Sequence, residues 1–276
     1  MAILVSSGYE LARIGDPRAD YPVVGWQNLV TATTVAADHE AAGYPATNLS
    51  TPATNDAEQW KSDSTGEQYV TVLFGAEHEV DYVGIARHNF GSGGIVVTVE
   101  GLPFGGDPNE PSDWIELVEP AVVAGDVVHM ARFEPTWLIG LRLKLQPDAV
   151  APKAAVLHVG KLLEFERGVQ PGNPPLVYAR ERDVQTPISQ SGQYLGLVVS
   201  GGRRRAAVNI IKLTPEWYRS ILDPFLDVVI GQPFFWAWCP MTYPNEVAYA
   251  WVTSQPMPAP DMAGYIDITM QMEGLL

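Results

Sequence analysis

The segment GQPFFWAWCP, residues 231–240, constrains the fold of this chain more than any other, because it places two Phe and two Trp within five positions. In a β-strand, alternate side chains point to opposite faces. One face would carry Phe234, Trp236 and Trp238, and the other would carry Phe235, Ala237 and Cys239. Both faces are apolar, so the strand must be covered on both sides. The cover comes either from the chain's own helix and opposite sheet or from neighbouring copies of the chain, and the sequence leaves both open.

Length and composition favour two β-rich domains. The chain has 276 residues, with 25 Gly and 23 Pro, and a domain typically takes about 100–200 residues. So many turn-forming residues favour short strands over long helices. The formal net charge is −15, of which residues 1–165 carry −13 and residues 166–276 carry −2. This charge argues against nucleic-acid binding over the whole surface, and its uneven distribution is typical of two domains with different neighbours.

Cysteine content and hydropathy indicate the compartment. Cys239 is the only cysteine, so no intramolecular disulfide can form, which fits assembly in a reducing cytoplasm. Its aromatic surroundings predict a buried, inert thiol. The N-terminus has no basic segment before a long apolar run, and no stretch of about 18 apolar residues occurs, so neither a signal peptide nor membrane insertion is expected.

Residues 46–166 contain strand-like runs at a spacing of about 10–15 residues, with Gly and Pro turns between them, which is typical of a β-sandwich. Residues 1–45 look like an irregular leader that packs on a neighbouring element. Residues 167–176, GVQPGNPPLV, are a predicted linker because they are rich in Pro and Gly. Residues 177–276 form the second predicted domain, with the order strand, strand, helix, strand, strand, strand.

The helix of the second domain is predicted over residues 214–230. Thr214 is a suitable N-cap, Pro215 suits the first helical position, and Gly231 is a natural stop. Asp223–Pro224 is expected to break or kink this helix. Gly201–Gly202, between two strand-like runs, predicts the turn of a hairpin.

The first domain resembles the galactose-binding, discoidin-type jelly roll. The resemblance lies in YPATNLSTPATNDAEQWKSDSTGEQYVTVLFGAEHEVDYVGIARHNF, residues 44–90, and in the closing runs RLKLQ and VLHVGKLLEFE. It implies a ligand site at loops or strand ends that carry Trp60, Arg87, His88 and Asn89. An aromatic ring can stack on a sugar face while polar groups fix its hydroxyls. Alternatively, Trp60 fills the end of the sandwich and Arg87 pairs with a nearby acid.

The second domain resembles the tail-tube-like β-barrel of bacteriophage distal tail and baseplate hub proteins. The resemblance lies in GGRRRAAVNIIKL, the helix TPEWYRSILDPFLDVVIGQ, the strand GQPFFWAW and the terminal run YIDITMQMEGL. It implies a β-barrel or sandwich with one helix, stacked as a trimeric or hexameric ring in the virion after assembly in the host cytoplasm. The implied partners are further copies of the chain, the tail tube protein, the tape measure protein, and tail hub or fibre proteins.

Arg203, Arg204 and Arg205 form the one basic cluster in the sequence. At a hairpin tip they could pair with carboxylates of a neighbouring subunit, face a lumen that contains DNA, or be solvated. Together with Phe234, Trp236 and Trp238, they make up the predicted oligomer interface.

No catalytic motif stands out. The chain has no G-x-S-x-G, H-E-x-x-H, P-loop or C-x-x-C, and its five His are not paired at metal-ligand spacing. GSGG, residues 91–94, precedes a strand and is a predicted turn rather than a phosphate loop. We therefore predict no enzyme, no metal and no cofactor.

The main prediction is a virion structural protein of a long-tailed phage, with an outer domain that can contact host glycan. The alternative is a carbohydrate-binding module protein that recognises a cell-surface glycan. A glycan hydrolase fragment is disfavoured by the missing motifs.

Overall fold

The structure is a computed structural model that describes residues 2–172 and 174–275. It is mainly β, with sheets of seven, eight and two strands. The strands are β1 (Ile3–Val5), β2 (Val23–Gly25), β3 (Val35–Ala37), β4 (Trp60–Lys61), β5 (Gln68–Ala86), β6 (Val96–Leu102), β7 (Ile115–Val122), β8 (His129–Gln146), β9 (Lys153–Ala154), β10 (Val156–Gly160), β11 (Leu163–Glu164), β12 (Arg180–Gln185), β13 (Val198–Leu213), β14 (Phe234–Ala237), β15 (Val247–Val252), β16 (Pro258–Pro260) and β17 (Ile266–Leu275). Helix α1 spans Ser7–Arg13, helix α2 spans residues 215–228, and short 3-10 turns span Ala46–Ser50 and Pro111–Asp113.

The seven-stranded sheet forms the predicted sandwich. Its order is β10-β5-β8-β6-β7, with β1 parallel to β8 and β3 antiparallel to β5. Strands β5 and β8 are 19 and 18 residues long. Strand β5 joins two runs that the sequence predicts as separate strands, residues 68–74 and 81–90, and β8 joins two more, residues 126–135 and 137–146. The register of β5 on β8 shifts between Leu73 and His78, where Gly75 has φ 76°. Both halves of β5 line one core, so a single bent sheet makes the sandwich.

The eight-stranded sheet does not follow the predicted domain limits. Its order is β11-β2-β14-β15-β17-β13-β12, with β16 on β17. Strand β2 comes from the predicted leader, residues 1–45, and β11 from the end of the predicted first domain. The leader therefore contributes two strands, β1 and β3, to the seven-stranded sheet and one strand, β2, to the eight-stranded sheet. Among the described residues β11 and β12 end the sheet and do not pair, so the sheet is open. Of the predicted alternatives, barrel or sandwich, the closed barrel is not seen in the described part of the chain.

Strand β14 is enclosed by its own chain. The exposed fractions are 0% for Phe234, 0% for Phe235 and 2% for Trp236. Phe234 packs on α2, with its ring centroid 5.3 Å from that of Phe225. Phe235 packs on the first sheet so closely that a Cβ on Gly84 would lie 2.6 Å from its ring. The chain's own helix and sandwich cover both faces, and neighbouring copies are not needed for this purpose.

Helix α2 starts at Pro215 after Thr214, as predicted. It continues past Pro224, where the sequence predicted a break or a kink. The residues before it, Tyr218–Leu222, adopt π-helical geometry. A π-turn relaxes the regular i to i−4 pattern that an interior proline would interrupt, so the helix can go on. Across the described part of the chain, no helix is both long and apolar enough to cross a membrane.

Candidate functional site

Trp60 does not form a surface platform, which corrects the prediction that it stacks on a sugar. Its side chain is 1% exposed and belongs to the core of the sandwich. Its Nε1 donates a hydrogen bond to the carbonyl oxygen of His39 at 3.0 Å. A ring enclosed in this way has no face left for a ligand.

His88 and Asn89 are also buried, with exposed fractions of 4% and 7%. His88 Nε2 lies 2.8 Å from the Val127 carbonyl oxygen, and Nδ1 accepts from the Phe90 amide. Burial lowers the pKa of His88, which favours the neutral ring. Asn89 Nδ2 donates to the Ala151 carbonyl oxygen, and its Oδ1 accepts from the Lys153 amide. Both side chains join backbone segments, so the prediction that they bind a ligand is wrong for this conformation.

Arg87 is the exposed member of the predicted glycan set. Its backbone has φ 55°, and its Nε donates to the Thr54 carbonyl oxygen at 3.2 Å. Its bonded partner is a carbonyl rather than the predicted acid. Because the other three side chains are buried, the four do not gather into one accessible site.

An open groove of about 480 Å³ lies where the two large sheets meet. It is lined by Trp26, Gln27, Asn28, Val30, Ser50, Pro52, His158, Gly231, Gln232 and Pro233. None of these residues is Asp, Glu, Lys or Arg. Burial lowers the pKa of His158 to about 4, so its ring is neutral at ordinary pH. No local sequence pattern predicts this groove, because its walls come from four segments that are distant along the chain.

A hairpin arm, residues 180–205, extends from the edge of the eight-stranded sheet. Its turn lies at residues 189–192, where the Gly192 amide donates to the Ser189 carbonyl oxygen at 2.9 Å. The predicted turn at Gly201–Gly202 is wrong, since both residues lie inside β13, opposite Asp183 and Arg182.

Arg203, Arg204 and Arg205 therefore lie at the root of the arm and not at its tip. Arg203 pairs with Asp183 at 3.5 Å and with Glu273 at 3.6 Å. Arg205 also pairs with Glu273, and Arg204 donates to a backbone carbonyl of its own chain. All three guanidinium groups contact their own chain. Arg203 and Arg204 also line a groove of about 590 Å³ beside Trp251.

The rest of the arm exposes large apolar side chains. The exposed fractions are Val184 47%, Ile188 66%, Tyr194 64%, Leu195 62%, Leu197 56%, Val198 52% and Val199 48%. All six residues of β12 are exposed, and β12 is the last strand of its sheet. Such a surface on one element is typical of a protein interface.

The other predicted interface residues are buried or partly buried, unlike the apolar side chains of the arm. Phe234 and Trp236 have no exposed surface to offer a second subunit, so the prediction that they form the interface is wrong. Trp238 is partly buried, stacks on Tyr243 with centroids 5.3 Å apart, and donates to Glu246. The neighbouring Cys239 is partly buried, and burial together with Asp20 raises its pKa to about 12, so the thiol stays protonated.

Within residues 2–172 and 174–275, no group of three or more His, Cys, Asp or Glu side chains is placed to hold a metal ion.

No protein-family model matches the chain, and no curated protein matches it either. Several solved structures are similar to about half of it. One is a Clostridium perfringens family 32 carbohydrate-binding module in complex with GalNAc-β-1,3-galactose, with 13% sequence identity, a TM-score of 0.39 and coverage of 46% of this chain and 94% of that chain. A second is the family 32 module of C. perfringens NanJ in complex with galactose, with 14% identity, a TM-score of 0.39 and coverage of 50% of this chain and 98% of that chain. A third is chitosan-binding module 1 from a chitosanase/glucanase of Paenibacillus sp. IK-5, with 16% identity, a TM-score of 0.41 and coverage of 49% of this chain and 99% of that chain.

These three similar proteins are carbohydrate- or chitosan-binding modules. The comparisons give no support to a phage tail protein. At these identities and TM-scores, no ligand of this chain follows from them.

Proposed function

We propose that the protein is a structural subunit that assembles with further copies of itself through the hairpin arm. The observation that carries this proposal is the row of large apolar side chains on the arm, each about half exposed or more. Burying such surface against a partner is favourable by about 25 cal/mol per Å². Within the part of the chain that the structure describes, β12 is also the last strand of its sheet, a position at which a strand of another subunit could be added.

Charge favours a second copy of this chain as the partner. Residues 180–205 carry five Arg and two acidic residues, a net charge of +3, while the other residues together carry −18. The arm of one copy and the acidic body of another therefore attract each other. Complementary charges of this kind steer encounter and suppress wrong partners.

The setting that we propose is the tail tip of a long-tailed phage. Support comes from the order of elements in the resemblance, in which a hairpin is followed by helix α2, the aromatic strand β14 and the terminal strand β17. In this setting the arm would join neighbouring subunits of a ring, and the sandwich would lie outside it. The tail tube protein, the tape measure protein and tail hub or fibre proteins would be its neighbours.

Charged substitutions in the arm test the assembly. The purified wild-type chain is expected to have a mass in solution that is a multiple of 30.1 kDa. Ile188→Asp and Leu197→Asp, each at an exposed position, should shift it to the monomer mass without lowering the melting temperature. Phe104→Asp is the matched control, because Phe104 is 78% exposed and lies outside the arm. Light scattering coupled to size exclusion measures all four. A monomeric wild type, or arm variants that still assemble, would contradict the proposal.

The second candidate function is the recognition of a neutral glycan, which is also the kind of ligand described for the similar modules. The observation that favours it is the uncharged lining of the groove between the two large sheets. The residues predicted from the sequence do not support it, since Trp60, His88 and Asn89 are buried. A glycan on the host surface would be compatible with assembly through the arm.

A further inference from the structure

We propose that the groove between the two large sheets binds a neutral saccharide, with Trp26 as its aromatic wall and Gln27 and Gln232 as hydrogen-bonding side chains. This inference rests on the second candidate function and names its site. The groove volume of about 480 Å³ falls within the range of about 300–1,000 Å³ that is usual for ligand pockets.

Charge argues for an uncharged ligand. The protein has a net charge of −15, and three other grooves of similar size are lined by charged side chains, among them Arg203, Lys212 and Glu164. The groove between the sheets has no Asp, Glu, Lys or Arg in its lining. It offers no ion-pair partner to a phosphate, a carboxylate or an amine, so a neutral polar molecule fits it best.

The polar groups in the groove match sugar hydroxyls. A hydroxyl both donates and accepts hydrogen bonds, and so does a side-chain amide. Gln27 and Gln232 are exposed at the groove, and neither side chain forms a hydrogen bond within the described residues. His158 lies 7% exposed in the wall. Its Nδ1 is 3.4 Å from the Gly25 carbonyl oxygen, while its Nε2 has no partner among the described residues.

The walls of the groove are held in place by the fold. Trp26 is partly exposed, and its ring is tilted by 50° against Phe225 at 5.8 Å, which leaves part of the indole free to contact a sugar. Asn28 is already occupied, since its Oδ1 accepts from the Val30 and Val159 amides at 3.0 and 3.1 Å. Asn28 therefore positions the wall and is not expected to contact the ligand.

Titration calorimetry on the full chain tests the site. The probes are glucose, galactose, N-acetylglucosamine, N-acetylgalactosamine and their β-linked disaccharides, with galacturonate and sialic acid as charged comparators. We expect at least one neutral sugar to bind saturably. Trp26→Ala and Gln232→Ala should each weaken that binding by about tenfold or more. Trp137→Ala is the matched control, because Trp137 is 57% exposed and lies outside the groove.

The possible outcomes distinguish an error in the groove site from an error in the proposed glycan recognition. If the wild type binds none of the sugars, both the groove site and glycan recognition are wrong. If a sugar binds equally well to both groove variants, glycan recognition stands and the groove site is wrong. Tighter binding of the charged comparators would overturn the inference of a neutral ligand. Gln232 is exposed, so its variant tests the site even if Trp26→Ala fails to fold. None of these results bears on assembly, which the solution mass reports separately.

Discussion

Replacing Phe235 with alanine is expected to lower the free energy of unfolding by about 3–5 kcal/mol. Phe235 is 0% exposed and lies between the two large sheets. Its ring centroid is 5.1 Å from that of His158 and 5.2 Å from that of Tyr249. Removing the ring would leave a cavity that the sheets cannot close without moving relative to each other. Urea denaturation at fixed pH, followed by tryptophan fluorescence, measures the change.

This prediction needs a monomeric background, because assembly would add its own stability. The unfolding measurement is best made in the Ile188→Asp chain, with and without the Phe235→Ala substitution. Phe104→Ala is the control, and its effect should stay within about 0.5 kcal/mol since Phe104 is 78% exposed. A loss below about 1 kcal/mol for Phe235→Ala would show that the enclosure of this ring by its own chain is wrong.

Replacing Trp60 with alanine is likewise expected to lower the free energy of unfolding by about 3–5 kcal/mol. The indole fills the sandwich core and donates to the His39 carbonyl oxygen, so its loss leaves both a cavity and an unpaired acceptor. Thermal and urea unfolding measure this loss. The control is Trp137→Ala, which removes an exposed indole of the same domain. Unchanged stability together with lost sugar binding would restore the original interpretation of Trp60 as a ligand platform.

The mainly β class and the helix after Thr214 could be predicted from the sequence because they depend on local patterns. The two apolar faces of β14 were equally visible, since alternation along a strand shows that both faces need cover. Alternation cannot show what provides the cover. Here Phe225 on α2 lies on one face and Gly84 in the sandwich on the other, and these contacts join distant parts of the chain.

The extent of the strands was harder to predict. Gly75 and the polar residues after it look like a turn, yet β5 continues beyond them on the same partner strand. Residues 74–77 form an irregularity between the pairs Leu73–Gly140 and His78–Leu138. Strands β2 and β11 are only three and two residues long. Their place in the second sheet depends on long-range register, which no local pattern contains.

The candidate sites likewise depend on long-range contacts that local sequence patterns do not contain. Residue type suggested Trp60, His88 and Asn89 as ligand contacts, but type does not determine exposure, and the sandwich buries all three. The groove brings together residues 26–30, Ser50, His158 and residues 231–233, which no spacing in the sequence connects. The arm did leave a signal, because Ser191–Gly192 is a turn-forming pair that shortly precedes the apolar run of residues 194–199. Gly201–Gly202 is the stronger turn signal by residue type alone.

Hydrogen–deuterium exchange, read by mass spectrometry, tests most directly whether copies meet through the arm rather than through the aromatic strand. The comparison is between the assembled wild type and the monomeric Ile188→Asp chain. We expect the amides of residues 234–237 to exchange slowly and equally in both, while those of residues 180–199 become protected only in the assembly. Fast exchange of residues 234–237 in the monomer, slowed by assembly, would show instead that sister copies shelter the aromatic strand.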